Sequence, residues 1–400
     1  MLQGKTIVLG ITGGIAAYKA AELTRMLVRE QATVQAVMTT NAQRFVTPLT
    51  LQVLSGQPVC TDLFDLQFES QIGHIQIARA AHLVIVAPTT ANVLAKLAAG
   101  IADDYLTTVL LATTAPVLLC PAMNVHMFHH PATRRNLDTL RELGYHLVEP
   151  ASGMLACGDE GEGRLADLQD IMEVARRLLT RPTLRGKRIL ISAGPTWEAF
   201  DPVRFVTNPS TGKMGFAIAV VAARRGAEVH LVTGPSVLCA PRDIGVTRVV
   251  DAQEMKTAME TLASDVDAII MAAAVGDYRP EKAAVHKIKK DEEQLEVTLV
   301  KNPDILAHLG QTKTARQVLI GFAAETDNLI ANATEKLHKK NLDFIVANDL
   351  TQRGAGFACD TNQVKILHRD GRSEDLPCLP KEEVAALILD RVESLLGVRT

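Results

Sequence analysis

The chain opens the same structural phrase twice, and no other feature constrains its fold as much. Residues 6–11, Thr-Ile-Val-Leu-Gly-Ile, are a β-branched run ending in Thr12-Gly13-Gly14. Ala16, Ala20, Leu23 and Leu27 then share one face of a 3.6-residue period, and a second β-branched run follows at 33–38. The phrase restarts at 187–193. It passes through Gly194-Pro195-Thr196 and a longer loop from Asn208 to Gly215 into a helix over 216–225 and a strand over 228–233. Further strands are predicted at 83–87, 117–120, 145–148, 268–272, 318–322 and 344–347. Strands alternating with helices predict two α/β domains, each a doubly wound parallel sheet that takes ligands at the carboxyl ends of its strands. Hairpins are expected over 287–300 and 364–376, the latter turning at Asp370-Gly371, and an amphipathic helix over 381–396 closes the chain. Pro182 and its charged neighbours mark the boundary, giving domains 1–182 and 189–400 with a linker at 183–188.

Composition excludes several classes. Hydrophobic residues make up 47% of the 400, enough for a core in each half. Aromatic residues make up 4%, too few for a single-strand stacking platform, and a net charge of −3 gives no field for nucleic acid or an anionic membrane. Six scattered cysteines without a Cys-x-x-Cys pair point to a reduced, cytoplasmic protein. The amino terminus lacks a signal-peptide pattern, and the most apolar stretch, 82–102, is interrupted by Pro88, Asn92 and Lys96, so no membrane span is expected.

In the first half, Gly13-Gly14 precedes a helix whose free N–H groups suit a phosphate. The spacing is not G-x-G-x-x-G, which favours a mononucleotide over a dinucleotide. Polar loops follow three strands: Thr39-Thr40-Asn41, Pro88-Thr89-Thr90-Ala91-Asn92, and Pro121-Ala122-Met123-Asn124-Val125-His126-Met127-Phe128. His74 starts a helix. Residues 153–164, Gly-Met-Leu-Ala-Cys-Gly-Asp-Glu-Gly-Glu-Gly-Arg, form a glycine-rich segment, read as a surface loop or as a substrate flap carrying Cys157. Together these elements, spanning nearly all of 1–180, resemble the homo-oligomeric flavin-containing cysteine decarboxylases, with Phe128 standing where the family pattern has Trp. The resemblance implies a flavodoxin-like domain binding FMN through Gly13, Gly14, Ile15, Thr39, Pro88, Thr89, Thr90 and Asn92. It implies oxidation of a cysteine thiol to a thioaldehyde, so that departing CO₂ leaves its electrons in an enethiolate. In that scheme His74 is the base, Asn124 binds the substrate carboxylate and Cys157 returns a proton.

In the second half, Ser210-Thr211-Gly212-Lys213 lacks Walker A spacing. Residues 272–278, Ala-Ala-Ala-Val-Gly-Asp-Tyr, follow a buried strand, and their small side chains let a base or ribose approach the backbone. Lys287, Lys289 and Lys290 read as a solvated edge or as a clamp on triphosphate, with Lys287 and Lys289 on one strand face. With residues 301–305 and 321–326, Lys336, Lys340 and Asn348-Asp349, these motifs resemble the phosphopantothenoylcysteine synthetases over about 186–395. Two departures are Pro195, where a second glycine is usual, and Pro209 after Asn208. The resemblance implies a ligase that uses CTP and Mg²⁺ to join 4'-phosphopantothenate to cysteine through an acyl-cytidylate. Asn208 would support conversion of that intermediate, and Lys287 would contact phosphate. The nucleotide would meet Met271, Ala272, Ala273, Asp277, Pro303, Asp304, Ile305, Leu306, Phe322, Lys336 and Lys340, with Asp277 also a candidate for Mg²⁺. The resemblance further implies flavin-domain trimers, in some cases dodecamers, and ligase dimers. Two other readings are weaker. A flavoprotein binding subunit without catalysis is disfavoured by the presence of His74, Asn124 and Cys157, and an NAD(P) oxidoreductase by the missing dinucleotide fingerprint.

Overall fold

A computed structural model describes residues 2–64, 73–154, 158–239, 244–289, 295–325, 327–349, 356 and 359–399. Cys157, Lys290 and Thr326 lie outside the described residues. The chain divides into two compact units, Met1–Arg181 and Pro182–Thr400.

The first unit carries strands β1 (Thr6–Ile11), β2 (Thr33–Met38), β3 (Leu83–Thr89), β4 (Val117–Pro121), β5 (His146–Leu147), β6 (Ala151–Met154) and β7 (Glu160–Arg164). Its helices are α1 (Lys19–Arg29), α2 (Pro48–Ser55), α3 (Gly73–Ala80), α4 (Ala91–Ala98), α5 (Tyr105–Ala112), α6 (Val125–His129), α7 (Pro131–Glu142) and α8 (Leu168–Leu179). The first five strands form a parallel sheet in the order β2-β1-β3-β4-β5, the flavodoxin-like order, with its switch point between β1 and β3. Alternation along β1 explains why helices cover both faces. Ile7, Leu9 and Ile11 enter one core with Leu23 and Leu27 of α1, while Val8 enters the other with Val84, Val86 and Leu106. Each such buried aliphatic chain contributes roughly 1.5–3 kcal/mol.

The second unit carries β8 (Arg188–Ala193), β9 (Trp197–Ala199), β10 (Phe205–Thr207), β11 (Glu228–Thr233), β12 (Gly245–Arg248), β13 (Ala268–Met271), β14 (Tyr278–Pro280), β15 (Leu299–Lys301), β16 (Val318–Glu325), β17 (Phe344–Asp349), β18 (Thr361–Asn362), β19 (Val364–His368), β20 (Ser373–Asp375) and β21 (Leu379–Pro380). Its helices are α9 (Lys213–Arg224), α10 (Ala252–Ala263), α11 (Ile305–Thr312), α12 (Leu329–Lys339) and α13 (Lys381–Arg399). The large sheet runs β12-β11-β8-β13-β16-β17-β19-β20. Its first six strands are parallel in the Rossmann order, with the switch point between β8 and β13, and β19 and β20 extend it antiparallel. Helices α9 and α13 cover one face with Ile189 and Ile191 beneath them; α10, α11 and α12 cover the other over Leu190 and Ile269.

The β19–β20 hairpin turns at Gly371, whose φ of 88° suits glycine. The hairpin expected over 287–300 is different. Its paired strands are β14 and β15, and residues 287–289 belong to the connecting segment, so Lys287 and Lys289 do not share a strand face. Alternating lysines imitate strand periodicity there, but the chain is held by side-chain bonds from elsewhere. Helix α9 starts at Lys213, earlier than its apolar period suggests, because Gly212 enters it in the left-handed region. Leu184 is 1% exposed and packs into the second unit's core. Among the described residues no helix is long and apolar enough to cross a membrane.

Two candidate active sites

Each candidate site sits at the carboxyl end of its sheet. In the first unit, Thr12 stitches the switch point. Its hydroxyl donates to the Pro88 carbonyl at 2.8 Å and accepts from the Thr90 N–H at 3.0 Å. The chain then passes Gly13 and Gly14 into a 3-10 turn, Ile15–Tyr18, that no side chain caps. A side chain at position 13 would run into Asn41, so only glycine lets the loops after β1 and β2 meet. At position 14 the nearest atom to an added Cβ is Thr90 Cγ2 at 3.6 Å, leaving the turn's backbone accessible.

Beside this turn lies a cavity of about 650 Å³ lined by Gly13, Gly14, Ile15, Thr90, Ala122, Met123, Asn124, Met127, Met154 and Arg164, among others. Open glycine backbone and apolar walls fit a flavin mononucleotide. Of the residues expected from sequence, Gly13, Gly14, Ile15, Thr90 and Asn124 line this space. Thr39, Pro88, Thr89, Asn92 and His74 do not. Thr89 is fully buried; its hydroxyl donates to the Val86 carbonyl at 2.7 Å and accepts from the Cys120 N–H at 3.1 Å. Thr39 is 8% exposed, its hydroxyl accepting from the Ala42 N–H at 3.3 Å. The Pro88 carbonyl is taken by Thr12, and Asn92 is exposed on α4. His74 stands in the first turn of α3, its ring edge-on to Tyr105 at 6.4 Å.

Asn124 caps α6. Its Oδ1 accepts from the His126 N–H at 2.8 Å, and its Nδ2 donates to Asp159 Oδ2 at 2.7 Å. A backbone N–H only donates and a carboxylate only accepts, so these partners fix the carboxamide's orientation. Asp159 belongs to the glycine-rich segment, most of which is an antiparallel β6–β7 pair. The Met123 N–H donates to the Gly163 carbonyl at 2.9 Å, laying β7 along the Asn124 loop. Gly163 has φ +145°, and a side chain there would strike the Met123 carbonyl. Phe128 is 1% exposed beneath the Arg134 guanidinium, which lies 4.3 Å from the ring centroid.

In the second unit a cavity of about 480 Å³ opens on the α11–α12 side. It is lined by Met271, Ala273, Asp277, Pro303, Asp304, Ile305, Leu306, Phe322, Lys336 and Lys340, joined by Val275, Gly276, Tyr278, Lys301, Asn302 and Ile345. Every residue expected around the nucleotide is here except Ala272, which packs against the opposite core, and Lys287. Asp304 caps α11 through the Ala307 N–H at 3.0 Å and pairs with Lys340 at 2.9 Å. Burial raises the Asp304 carboxyl, but the hydrogen bonds from Lys340 and Ala307 outweigh it and leave it below the ordinary aspartate range. Asn208 anchors the neighbouring loop, its Nδ2 donating to the Ala274 and Val275 carbonyls at 3.1 Å each.

Lys287 is exposed, outside this lining, in a segment steadied by a pair that sequence reading passed over. Asp201, 2% exposed, accepts from Arg204 Nε at 2.9 Å and from the N–H groups of Val203, Arg204 and Ile288 at 2.8, 2.8 and 3.2 Å. Arg204 also donates to the Ile288 carbonyl at 2.9 Å. The Arg204 hydrogen bond, with the three N–H groups and against burial, holds the Asp201 carboxyl far below the usual range. An Asp-x-x-Arg spacing was its only sequence signal. Among the described residues no three His, Cys, Asp or Glu side chains group to hold a metal. Asp277 and Asp304 both face the cavity, a donor set that fits Mg²⁺ only where phosphate oxygens complete its shell.

Residues 1–180 match the family described as Flavoprotein, and residues 184–396 match the DNA/pantothenate metabolism flavoprotein C-terminal domain. The chain is 47% identical over 399 residues to the coenzyme A biosynthesis bifunctional protein CoaBC of Bacillus subtilis (strain 168), covering 99% of this chain and 98% of that one. The chain belongs to the bifunctional coenzyme A biosynthesis family. The CoaBC protein of Escherichia coli (strain K12) is 45% identical over 395 residues, with 98% of this chain and 97% of that one covered. The solved C-terminal domain of a CoaBC protein covers 54% of this chain and 98% of its own, at 46% identity and a TM-score of 0.47. As a member of this family the chain is an enzyme, a phosphopantothenoylcysteine decarboxylase joined to a phosphopantothenate–cysteine ligase. The flavoprotein half of the family is its first unit, and the ligase half its second.

Proposed function

We propose that the second unit makes 4'-phosphopantothenoylcysteine with CTP and that the first unit decarboxylates it to 4'-phosphopantetheine with FMN. The observation that carries this reading is the cavity at each sheet's carboxyl end, open-backboned and apolar in one unit, lysine-lined in the other.

In the ligase half, an acid oxygen of 4'-phosphopantothenate attacks the α-phosphorus of CTP and pyrophosphate leaves. The cysteine amine then attacks the acyl carbon and CMP leaves. A free carboxylate is inert to amines at neutral pH, so the first step supplies the leaving group. Lys336 and Lys340 would neutralise charge on the nucleotide, Asp277 would help hold Mg²⁺, and Lys287, outside this cavity's lining, would contact phosphate. Asn208, fixed to the 274–275 backbone, orients the acyl group.

In the decarboxylase half, FMN supplies two-electron redox chemistry when bound. Gly13, Gly14 and Thr90 hold its phosphate end, and Met123, Met127 and Met154 keep water from the ring. Asn124, oriented by Asp159 and the His126 N–H, presents its amide to the substrate carboxylate. By the family resemblance His74 is the base and Cys157 returns a proton to carbon; His74 stands outside this cavity's lining within one chain, so its role requires a second copy of the chain to complete the site.

The full chain supplied with 4'-phosphopantothenate, cysteine and CTP is expected to release pyrophosphate and form 4'-phosphopantetheine. The purified protein is expected to be yellow and to release FMN on denaturation. No pyrophosphate would end the ligase reading; colour without decarboxylation would favour a binding flavoprotein.

A further inference from the structure

In the first unit a carboxylate already stands on the nitrogen that the decarboxylase reading gives to the substrate. Asn124 Nδ2 donates to Asp159 Oδ2 at 2.7 Å. The contact is built into the chain on both sides. Strand β7 begins directly after Asp159 and is fixed along the Asn124 loop. The Met123 N–H donates to the Gly163 carbonyl at 2.9 Å, and a side chain at position 161 would strike Val125, its Cβ 2.8 Å from Val125 Cγ2. On the far side of the carboxamide, Oδ1 accepts from the His126 N–H at 2.8 Å. Turning the amide over would lose both bonds, so its nitrogen stays on the Asp159 side. Asn124 lines the cavity, whereas Asp159 is half-buried outside the lining. A ligand can therefore reach Asn124 from the cavity while Asp159 keeps its place.

Orienting the amide does not call for a charge, since a neutral oxygen would accept the same N–H. What a carboxylate adds is a like charge beside the substrate's own, next to largely apolar walls that screen charge poorly. Resting on the reading that Asn124 binds the substrate carboxylate, we infer that Asp159 is a positioning residue that acts through the Asn124 amide to favour loss of CO₂. A substrate carboxylate on that amide meets a fixed negative charge. When its bond to carbon breaks, CO₂ leaves uncharged, and the electron pair passes to the sulfur-bearing fragment, away from Asp159. The repulsion is present before the step and relieved during it, so it raises kcat at the expense of affinity.

The test follows CO₂ release by the full chain supplied with 4'-phosphopantothenoylcysteine. Asp159→Asn keeps an acceptor for the Asn124 amide and removes the charge. It is expected to lower KM and kcat together, each about tenfold, so that kcat/KM holds within about threefold. Inhibition by the product 4'-phosphopantetheine, which keeps the phosphate and lacks the carboxylate, should not change, and neither should Tm. A lower kcat with KM unchanged or raised would mean that Asp159 only orients Asn124, and would overturn the proposal. An unchanged kcat would overturn it too, as would a lowered Tm. Product inhibition that tightens in step with substrate KM would mark general repulsion of anions and overturn it as well. Asn124→Ala retaining both kcat and KM would instead overturn the reading of Asn124 beneath it.

Discussion

Both cavities lie at the carboxyl ends of their sheets and are built from opposite materials. The first is walled by methionines and open glycine backbone and abutted by the β6–β7 pair; the second is walled by lysines, aspartates and strand-end backbone. The first sits at the switch point between β1 and β3 and the second to one side of its own, over β13, β16 and β17, so the strand ends offer the place and the loop sequences dictate the chemistry.

The contrast breaks most sharply at the proposed proton donor. Cys157→Ser should cut phosphopantetheine formation by about a hundredfold or more while leaving pyrophosphate release intact. If both products fall together, the halves are not chemically separate. Gly163→Ala comes next, because it forces a side chain onto the Met123 carbonyl from a left-handed φ. Decarboxylation should drop about tenfold or more, through lost docking of β7 on the Asn124 loop, with the ligase rate unaffected. Lys340→Ala should raise KM for CTP about tenfold and leave flavin content and decarboxylation alone, as followed by pyrophosphate release and visible absorbance.

The smallest effect concerns pH. Asp201 titrates lower folded than unfolded, so its contribution to stability is present above the ordinary aspartate value of 3.8 and is lost as pH falls toward its folded pKa. Asp201→Asn should therefore lower Tm at neutral pH, and the gap from wild type should narrow below about pH 4. A gap that stays constant into acid would mean that Asp201 acts by shape alone.

Most of the architecture was legible in the chain, because buried parallel strands are continuous apolar runs and their covering helices are amphipathic. Glycines 13 and 14 could be read because they follow a strand, whereas the nucleotide-cavity residues, among them Phe322 inside β16 and Lys336 on α12, were expected only from the resemblance to the synthetases. What escaped reading was the non-local polar bonding. Asp201 reaches Ile288 across 87 positions and Asn124 reaches Asp159 across 35, and no local period records such pairs. The lysine run at 287–289 misled because alternating charge and strand periodicity look alike without the partner strand in view.

The burial of Leu184 dictates where a biochemist can cut. Its N–H donates to the Arg225 carbonyl at 2.9 Å, and its side chain fills the core beneath α9. A ligase fragment begun at residue 189 would discard that plug and leave a void costing about 2–5 kcal/mol. One begun at Pro182 keeps it, so the safe scissile point lies on the amino-terminal side of the apparent linker.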